Sequence, residues 1–305
     1  MLKLPPMSAI RVFEAAARHQ SFTRAAEELG MTQAAVSYQI RMLEDRIGAP
    51  LFTRLPRQVV LTEKGLKLAP AVTEAFEALR VAFAGVEETV QSIISLTTTH
   101  TFASNWLIPR LGRFRQAHPN IAVQVNISLQ MVDLMAHDFD LAIRSGNGEW
   151  PGLEKYILFE NHVTPVCSPD LLRGSELRDP ADLLRLPLMS PGDPWWQSWF
   201  ETAGVGDADL SKRPDYTLSN QQFEGMAALA GQGVAMVNIA FFREELASGR
   251  LVQPFDLTIN TGSYWLVYPK ARRRYAKIQA FRDWILGEIV TDRQKAAPSG
   301  NETGT

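Results

Sequence analysis

Three hundred and five residues, 46% of them hydrophobic, suffice for about two domains with buried cores and exclude a wholly disordered chain. The formal net charge of −2 hides an asymmetry, because residues 1–62 carry eight basic and five acidic side chains, or +3, which leaves the remainder near −5. A basic head on an acidic body indicates an anionic partner for the head.

Several classes of protein are excluded by the absence of their motifs. The single cysteine, Cys167, forms no intrachain disulfide and leaves no cysteine cluster for zinc. No window reaches the roughly 18 apolar residues of a membrane span, so we expect a cytoplasmic protein with no membrane partner. The sequence also lacks the spacings of zinc hydrolases, nucleophile elbows, phosphate loops and dinucleotide fingerprints. We therefore predict that the protein is not an enzyme and has no catalytic residue, metal or cofactor.

The first fifty residues predict three short helices. Apolar positions recur at helical spacing over residues 8–18, and Ser21 stands where a second helix needs its N-cap. Gly30 suits the left-handed conformation that ends this helix, and Thr32 then caps a third helix over residues 33–47. The pattern is therefore helix, tight turn, helix.

The third helix has one apolar and one polar face. At about 100° per residue, Val36, Ile40, Leu43 and Ile47 fall together on one side, and the polar residues fall on the other. Amide, hydroxyl and guanidinium groups suit the major groove of DNA, although an ordinary solvated face has a similar composition. Our candidates for base or phosphate contact are Thr32, Gln33, Ser37, Tyr38 and Arg41.

A short strand pair follows at residues 51–62. Arg54 and Arg57 are candidates for contact with flanking phosphates, as in a wing, and a surface hairpin with two solvated arginines is the equal alternative.

Beyond Thr62, which caps a further helix, apolar residues recur at spacings of four and three. This is a heptad seam formed by Val72, Phe76, Leu79, Phe83, Val86 and Val90. A seam between two domains has no obvious core of its own, which favours pairing with a second chain. Packing on its own domain is the alternative.

The remaining chain alternates between strands and helices, which predicts the α/β class and a parallel sheet flanked by helices, followed by a second lobe. Strands are predicted at residues 92–99, 121–128, 139–144, 163–167, 188–190, 216–219, 234–238 and 264–268. Helices are predicted at about residues 102–117, 132–136, 221–230 and 275–286. The last strand and helix are expected to return to the first lobe, and residues 291–305 to be a disordered tail.

Ligands of open α/β sheets bind beyond the carboxyl ends of the strands, and four such ends are polar here. The candidates are Thr99, His100, Thr101, Ser128, Gln130, Arg144, Ser145, Ser219 and Asn220, with the aromatic residues Phe102 and Tyr264 near them. Each polar residue alone is more often a helix cap, but the set favours a pocket for a carboxylate or other anion. Arg144 is equally suited to a ligand carboxylate and to a structural ion pair with Asp133, Asp138 or Asp140.

Three segments carry a family resemblance. The run FEAAARHQSFTRAAEELGMTQAAVSYQIRMLEDRIGAPLFTRLPRQVVLTEKG resembles the winged helix-turn-helix of LysR-type transcriptional regulators. NWLIPRLGRFRQAHPNIAVQV and FDLAIRSGNGEWPGL resemble the branch that includes the glycine-cleavage activator and the β-lactamase regulator. Ala34 departs from the family pattern, since many members have proline at this position.

The resemblance implies a winged helix-turn-helix at 1–62, a dimerising linker helix at 63–90 and a two-lobed, periplasmic-binding-protein-like effector domain at 91–290. Such proteins usually assemble as homodimers or as tetramers of two dimers. The predicted function is regulation of transcription through double-stranded promoter DNA and the transcription machinery, modulated by a small-molecule effector such as a carboxylate or amino-acid-like compound. The alternative is a cytosolic solute-binding module whose helical head only oligomerises.

Overall fold

The N-terminal head of the chain folds into three helices, a strand pair and the start of a long helix. In order these are α1 (Met7–His19), α2 (Phe22–Leu29), α3 (Gln33–Ile47), β1 (Phe52–Leu55), β2 (Gln58–Leu61) and α4 (Glu63–Ala84). The computed structural model describes residues 4–55, 58–84, 92–130, 134, 139–174, 176–206, 208–210, 217–218 and 220–296.

The caps of the head are those that the sequence predicts. The Ser21 hydroxyl accepts a hydrogen bond from the Arg24 N–H at 3.3 Å, and the Thr32 hydroxyl accepts one from the Ala35 N–H at 3.2 Å. Gly30 ends α2 at a φ of 63°, in the left-handed region that favours glycine. The predicted helix-turn-helix is therefore confirmed.

The head has its own core. Val36, Ile40 and Leu43 of α3 are buried against α1 and α2, together with the Phe13 and Phe52 rings. Ile47, which the sequence also assigns to the packed face, is exposed at the last position of α3, so the packed face ends at Leu43. The opposite side of α3 is exposed to solvent.

Glu44 fixes the strand pair to α3. Its carboxylate accepts hydrogen bonds from the backbone N–H groups of Leu51 at 2.7 Å and Phe52 at 3.1 Å. The Thr62 hydroxyl caps α4 through the Gly65 N–H and donates to the Pro50 carbonyl. Gly65 is required here, because a Cβ would lie 2.2 Å from the Leu51 carbonyl oxygen.

The seam residues of α4 divide into two groups. Val72 packs against the core of the head, whereas Leu79 is 43% exposed and Phe83 is 72% exposed. Val86 and Val90 lie outside the described residues. Pairing with a second chain through this seam stays a prediction.

The C-terminal part of the chain is a mixed α/β structure. Its strands are β3 (Ser92–Thr98), β4 (Ile121–Ile127), β5 (Leu141–Gly146), β6 (Leu153–Val166), β7 (Ala235–Asn238) and β8 (Ile259–Pro269). Its α-helices are α5 (Leu111–Ala117), α6 (Pro194–Thr202), α7 (Gln221–Leu229), α8 (Arg243–Ala247) and α9 (Ala276–Ala296), and a π-helical turn (Phe102–Leu107) precedes α5.

The six strands form one sheet in the order β4-β3-β5-β8-β6-β7. β3 is parallel to β4 and β5, as the sequence predicts, but β8 is antiparallel to β5 and β6, and β7 is antiparallel to β6. The first lobe contains β3, β4, β5, α5 and α9, and the second contains β7, α6, α7 and α8. β6 and β8 run through both lobes. Because β8 pairs with β5 and α9 packs in the same core as β3, the predicted return of the last strand and helix to the first lobe is confirmed.

Several predicted boundaries were wrong. The strand predicted at 163–167 is the end of β6, which begins ten residues earlier at Leu153. Of the segment 188–190 only Leu188 pairs, through an isolated bridge to Val234. Residues 217–218 of the strand predicted at 216–219 are irregular, and the helix predicted at 132–136 falls almost wholly outside the described residues. The helix α6 was not predicted, and α9 continues through residues 291–296 of the predicted disordered tail.

The two long strands meet the second lobe through a buried polar network. β6 and β8 pair with register shifts between Ile157 and Phe159 and between Glu160 and His162. Beside these shifts, the side-chain amide of Asn161 donates a hydrogen bond to the Thr261 hydroxyl. The side-chain amide of Asn238 donates one to Oδ1 of Asn161, and both distances are 2.5 Å. This network joins β6, β7 and β8 where the lobes meet.

Candidate functional site

A cavity of about 520 Å³ opens between the lobes, beyond the carboxyl ends of β3 and β5. We call it the cleft. Its lining residues are Thr99, His100, Thr101, Leu129, Ser145, Ser190, Gly192, Asp193, Pro194, Trp195, Thr217, Asn220, Gln221, Glu224 and Tyr264. This volume is within the usual range of small-molecule sites, roughly 300 to 1,000 Å³.

The first-lobe wall of the cleft presents hydroxyl groups and an imidazole. Thr101 is buried, and its hydroxyl accepts a hydrogen bond from the backbone N–H of Gln222 in α7 at 3.2 Å. The His100 ring lies against the Phe223 ring, with centroids 5.2 Å apart. Both contacts join the start of the first-lobe π-helical turn to α7, so the floor of the cleft bridges the lobes.

Tyr264 of β8 contributes a buried phenol to the same wall. Burial raises the pKa of Tyr264 to about 12, and an interaction with Thr99 opposes this shift. The Thr99 hydroxyl is itself buried and makes no hydrogen bond of good geometry with any described residue. At neutral pH, Tyr264 is therefore an uncharged hydroxyl that can donate a hydrogen bond to a ligand.

Arg144 is directed into the protein. Its guanidinium donates to the Thr97 hydroxyl at 2.7 Å, to the Ile143 carbonyl at 2.9 Å and to the Gln130 carbonyl at 3.4 Å. Of its predicted aspartate partners, Asp140 accepts hydrogen bonds from the Lys277 ammonium at 2.7 Å and from the backbone N–H of Ser95 at 2.8 Å, and Asp133 and Asp138 lie outside the described residues. Burial lowers the pKa of Arg144 to about 10, which leaves it charged at neutral pH. Its observed contacts are structural and support the carboxyl ends of β3 and β5.

Glu224 of α7 is a buried carboxyl on the second-lobe wall. The Ser190 hydroxyl donates to its Oε1 at 2.5 Å, and burial raises the pKa of Glu224 despite this hydrogen bond. Ser190 adopts a φ of 46°, which is uncommon for a residue with a Cβ. The adjacent Gly225 allows α7 to pack closely against Phe242, since a Cβ at this position would lie 2.2 Å from the Phe242 ring.

Gln221 joins the cleft to the polar network between the lobes. Its side-chain oxygen accepts a hydrogen bond from the Asn238 N–H at 2.7 Å, and Asn238 is part of the network with Asn161 and Thr261. Gln221 therefore connects the cleft to the point where the long strands enter the second lobe.

The structure brings six of the predicted effector residues together in the cleft. These are Thr99, His100, Thr101, Ser145, Asn220 and Tyr264. Phe102 lies in the hydrophobic core, and Ser128 and Gln130 hydrogen-bond each other in a turn beside the cleft-lining Leu129. Ser219 lies outside the described residues.

Sequence reasoning missed most of the second-lobe wall. The strand-end rule, applied to the segment 188–190, would have nominated Ser190. Glu224 lies about one helical turn after Asn220 and so on nearly the same face. Asp193 and Trp195 belong to the unpredicted start of α6, where the Asp193 carboxylate accepts a hydrogen bond from the Trp195 N–H at 2.8 Å.

The candidate DNA-contacting residues share the outer surface of α3. Thr32, Gln33, Tyr38 and Arg41 are exposed, and Ser37 is partly exposed. The backbone of Arg54 lies in β1, opposite Val59 of β2, whereas the Arg54 side chain and all of Arg57 lie outside the described residues. The exposed surface of α3 therefore includes polar side chains and the cation Arg41.

Comparison with known proteins identifies the family. Residues 7–66 match the bacterial regulatory helix-turn-helix of the lysR family, and residues 87–289 match the LysR substrate binding domain. The chain belongs to the LysR family: it is a transcriptional regulator with a DNA-binding head and an effector-binding domain, and it is not an enzyme.

Two relatives and a solved structure are similar over most of their lengths. The glycine cleavage system transcriptional activator of Escherichia coli K12 is 39% identical over 297 residues, 96% of this chain and 97% of the relative. The HTH-type transcriptional activator AmpR of Citrobacter koseri is 41% identical over 283 residues, covering 92% and 97%. The effector domain of AmpR from Pseudomonas aeruginosa superposes with a TM-score of 0.59 at 33% identity, covering 68% of this chain and 100% of that domain. The predicted branch of the family is thereby confirmed.

None of the helices described by the structure is both long and apolar enough to span a membrane.

Proposed function

We propose that this regulator binds double-stranded promoter DNA in the cytoplasm through the outer face of α3 and is modulated by a small carboxylate or amino-acid-like effector in the cleft. The observation that carries the effector assignment is the cleft itself, in which polar strand ends of the first lobe meet the start of α7. Effector binding acts by favouring one arrangement of the lobes over another, since a ligand with equal affinity for both would shift nothing. The altered assembly then acts on the transcription machinery.

Thr32, Gln33, Ser37, Tyr38 and Arg41 are the proposed contacts to bases and phosphates, with Arg54 and Arg57 on the flanking backbone as a wing. The polar, exposed face of α3 supports this assignment because amide and guanidinium groups pair with base edges in the major groove. Pairing through Leu79 and Phe83 of α4 places two such faces in one homodimer, and two dimers form the tetramer.

The test of DNA recognition is a titration of the full-length protein against duplex DNA from upstream of its own gene and against scrambled DNA of equal length, at two salt concentrations. We expect a preference for the upstream DNA that survives the higher salt. Equal binding that salt abolishes would refute recognition of that sequence.

Arg41→Ala tests the assigned surface. It should weaken binding by about 1 to 3 kcal/mol if Arg41 contacts a base, or lower the salt slope by about 1 if it contacts a phosphate. Arg115→Ala removes the same charge from the exposed surface of α5 and is the matched control. An Arg41→Ala protein with unchanged affinity and salt slope would contradict the assignment.

The alternative, a solute-binding module whose head only oligomerises, makes the opposite prediction. Such a protein binds neither the upstream nor the scrambled duplex, whatever the salt concentration.

A further inference from the structure

The two walls of the cleft differ in chemistry. The first-lobe lining includes the hydroxyl-bearing residues Thr99, Thr101 and Tyr264, whereas the second-lobe lining includes the carboxyl-bearing residues Glu224 and Asp193. Among the described residues that line the cleft there is no lysine or arginine. The second-lobe wall therefore offers acceptors to a ligand without any cation of its own.

Glu224 has an oxygen left for a ligand. The residue is only 7% exposed, and its Oε1 is taken by the Ser190 hydroxyl at 2.5 Å. Its Oε2 accepts no hydrogen bond from the part of the chain that the structure describes, yet Glu224 lines the cavity. Burying a carboxyl without a cation is costly, so such groups concentrate at functional sites.

The surrounding residues hold this oxygen in place. Ser190 keeps a left-handed backbone conformation while it donates to Oε1, and Gly225 lets α7 pack directly on Phe242. Asp193 is fixed by its bond to the Trp195 N–H. The acceptor wall is therefore built by several independent contacts.

We propose that Glu224 is the specificity-determining residue of the cleft and that it selects an effector carrying an ammonium group. The effector is a zwitterion whose ammonium donates to Glu224 and whose carboxylate accepts hydrogen bonds from the hydroxyl groups of the opposite wall. A carboxylic acid without an amine leaves the Glu224 acceptor unpaired and adds a second negative charge beside it. This inference rests on the proposed function, because it takes the cleft to be the effector site.

The test uses the full-length protein and the standard amino acids with their glycyl dipeptides, each as the free zwitterion and as the N-acetyl derivative. N-acetylation removes the ammonium charge and leaves the carboxylate. Thermal shift identifies the stabilising compounds, and calorimetric titration then measures their affinities. We expect at least one free compound to bind and its N-acetyl derivative to bind at least about tenfold more weakly, as the loss of a charge-assisted hydrogen bond requires.

Glu224→Gln should lower the affinity for the free compound by at least the same factor and leave the affinity for its N-acetyl derivative almost unchanged. Glu201→Gln, the same change on the exposed surface of α6, is the matched control and should bind as the wild type does. Glu224→Asp retains the charge and shortens the side chain, so this variant should bind the free compound more weakly than the wild type does. It should still bind the free compound more tightly than the N-acetyl derivative. This second variant also serves if Glu224→Gln does not fold.

Equal binding of free and N-acetyl compounds, or unchanged affinity in Glu224→Gln, would overturn the inference. So would a wild-type protein that recognises its upstream DNA but binds none of the free zwitterions. If the wild-type protein fails to recognise DNA while Glu224-dependent binding of zwitterions is retained, the proposed function fails and the assignment of Glu224 stands.

Discussion

Glu44 joins α3 to the strand pair, so its replacement should release β1 from α3. The carboxylate accepts two backbone hydrogen bonds, from Leu51 and Phe52. Bonds to a charged acceptor contribute about 1.5 to 3 kcal/mol each, and Glu44→Ala also leaves the N–H of the buried Leu51 without its partner. We expect a local loss of about 3 kcal/mol. Glu44→Gln keeps a neutral acceptor and should lose about half of that.

Hydrogen exchange on the full-length protein measures this loss directly, because local opening is reported amide by amide. A change of about 3 kcal/mol corresponds to roughly hundredfold faster exchange at Leu51 and Phe52. Asp45→Asn, the next residue on the exposed surface of α3, is the control and should leave both amides unchanged. Unaltered protection of Leu51 and Phe52 in a folded Glu44→Ala protein would refute the argument.

Two further predictions concern acid stability and assembly. Arg18 lowers the pKa of Glu28 from 4.5 to about 2, so the stabilisation from this carboxylate is present above pH 4.5 and is lost as the pH falls towards 2. Because the Glu28 side chain is 35% exposed, solvent screening reduces the stabilisation that corresponds to this shift to about 1 kcal/mol. Glu28→Gln should therefore have a lower melting temperature than the control Glu27→Gln at pH 7, measured by circular dichroism. At pH 2 the two melting temperatures should be equal. Phe83→Glu places a charge on the exposed seam of α4 and should raise the dimer dissociation constant at least about tenfold in sedimentation equilibrium, whereas Ala78→Glu, on another face, should not. Equal dimer dissociation constants for the two variants would refute dimerisation through this seam.

The head was predictable because its signals are local. A cap acts within three residues, as Ser21 and Thr32 do, and a glycine ends a helix through its own φ. Periodicity located the buried face of α3 for the same reason. Only Ile47 was misplaced, because the pattern carries no information on where the packing partner ends.

The first-lobe wall of the cleft was largely predictable, whereas on the second-lobe wall only Asn220 was predicted. Thr99 and Thr101 follow the carboxyl end of β3, which the alternation of strands and helices indicates, and Tyr264 lies within β8 opposite Ser145 of β5. The opposite wall depends on the contact between Glu224 and Ser190, which are 34 positions apart and share no local pattern. Arg144 shows the same limit, because among the described residues its partners are the Thr97 hydroxyl and two backbone carbonyls, which no local sequence pattern indicates.

The lobes share β6 and β8 as continuous strands, and this constrains how an effector signal can travel. Two lobes joined by a flexible loop can rotate freely relative to each other. Two lobes joined by paired strands resist a large rotation, because it would break the hydrogen bonds between β6 and β8. The register shifts between Ile157 and His162 are where that ladder is weakest and where the twist is most easily changed. We therefore expect an effector in the cleft to act by changing the twist of β6 and β8 rather than by opening the lobes about a free hinge.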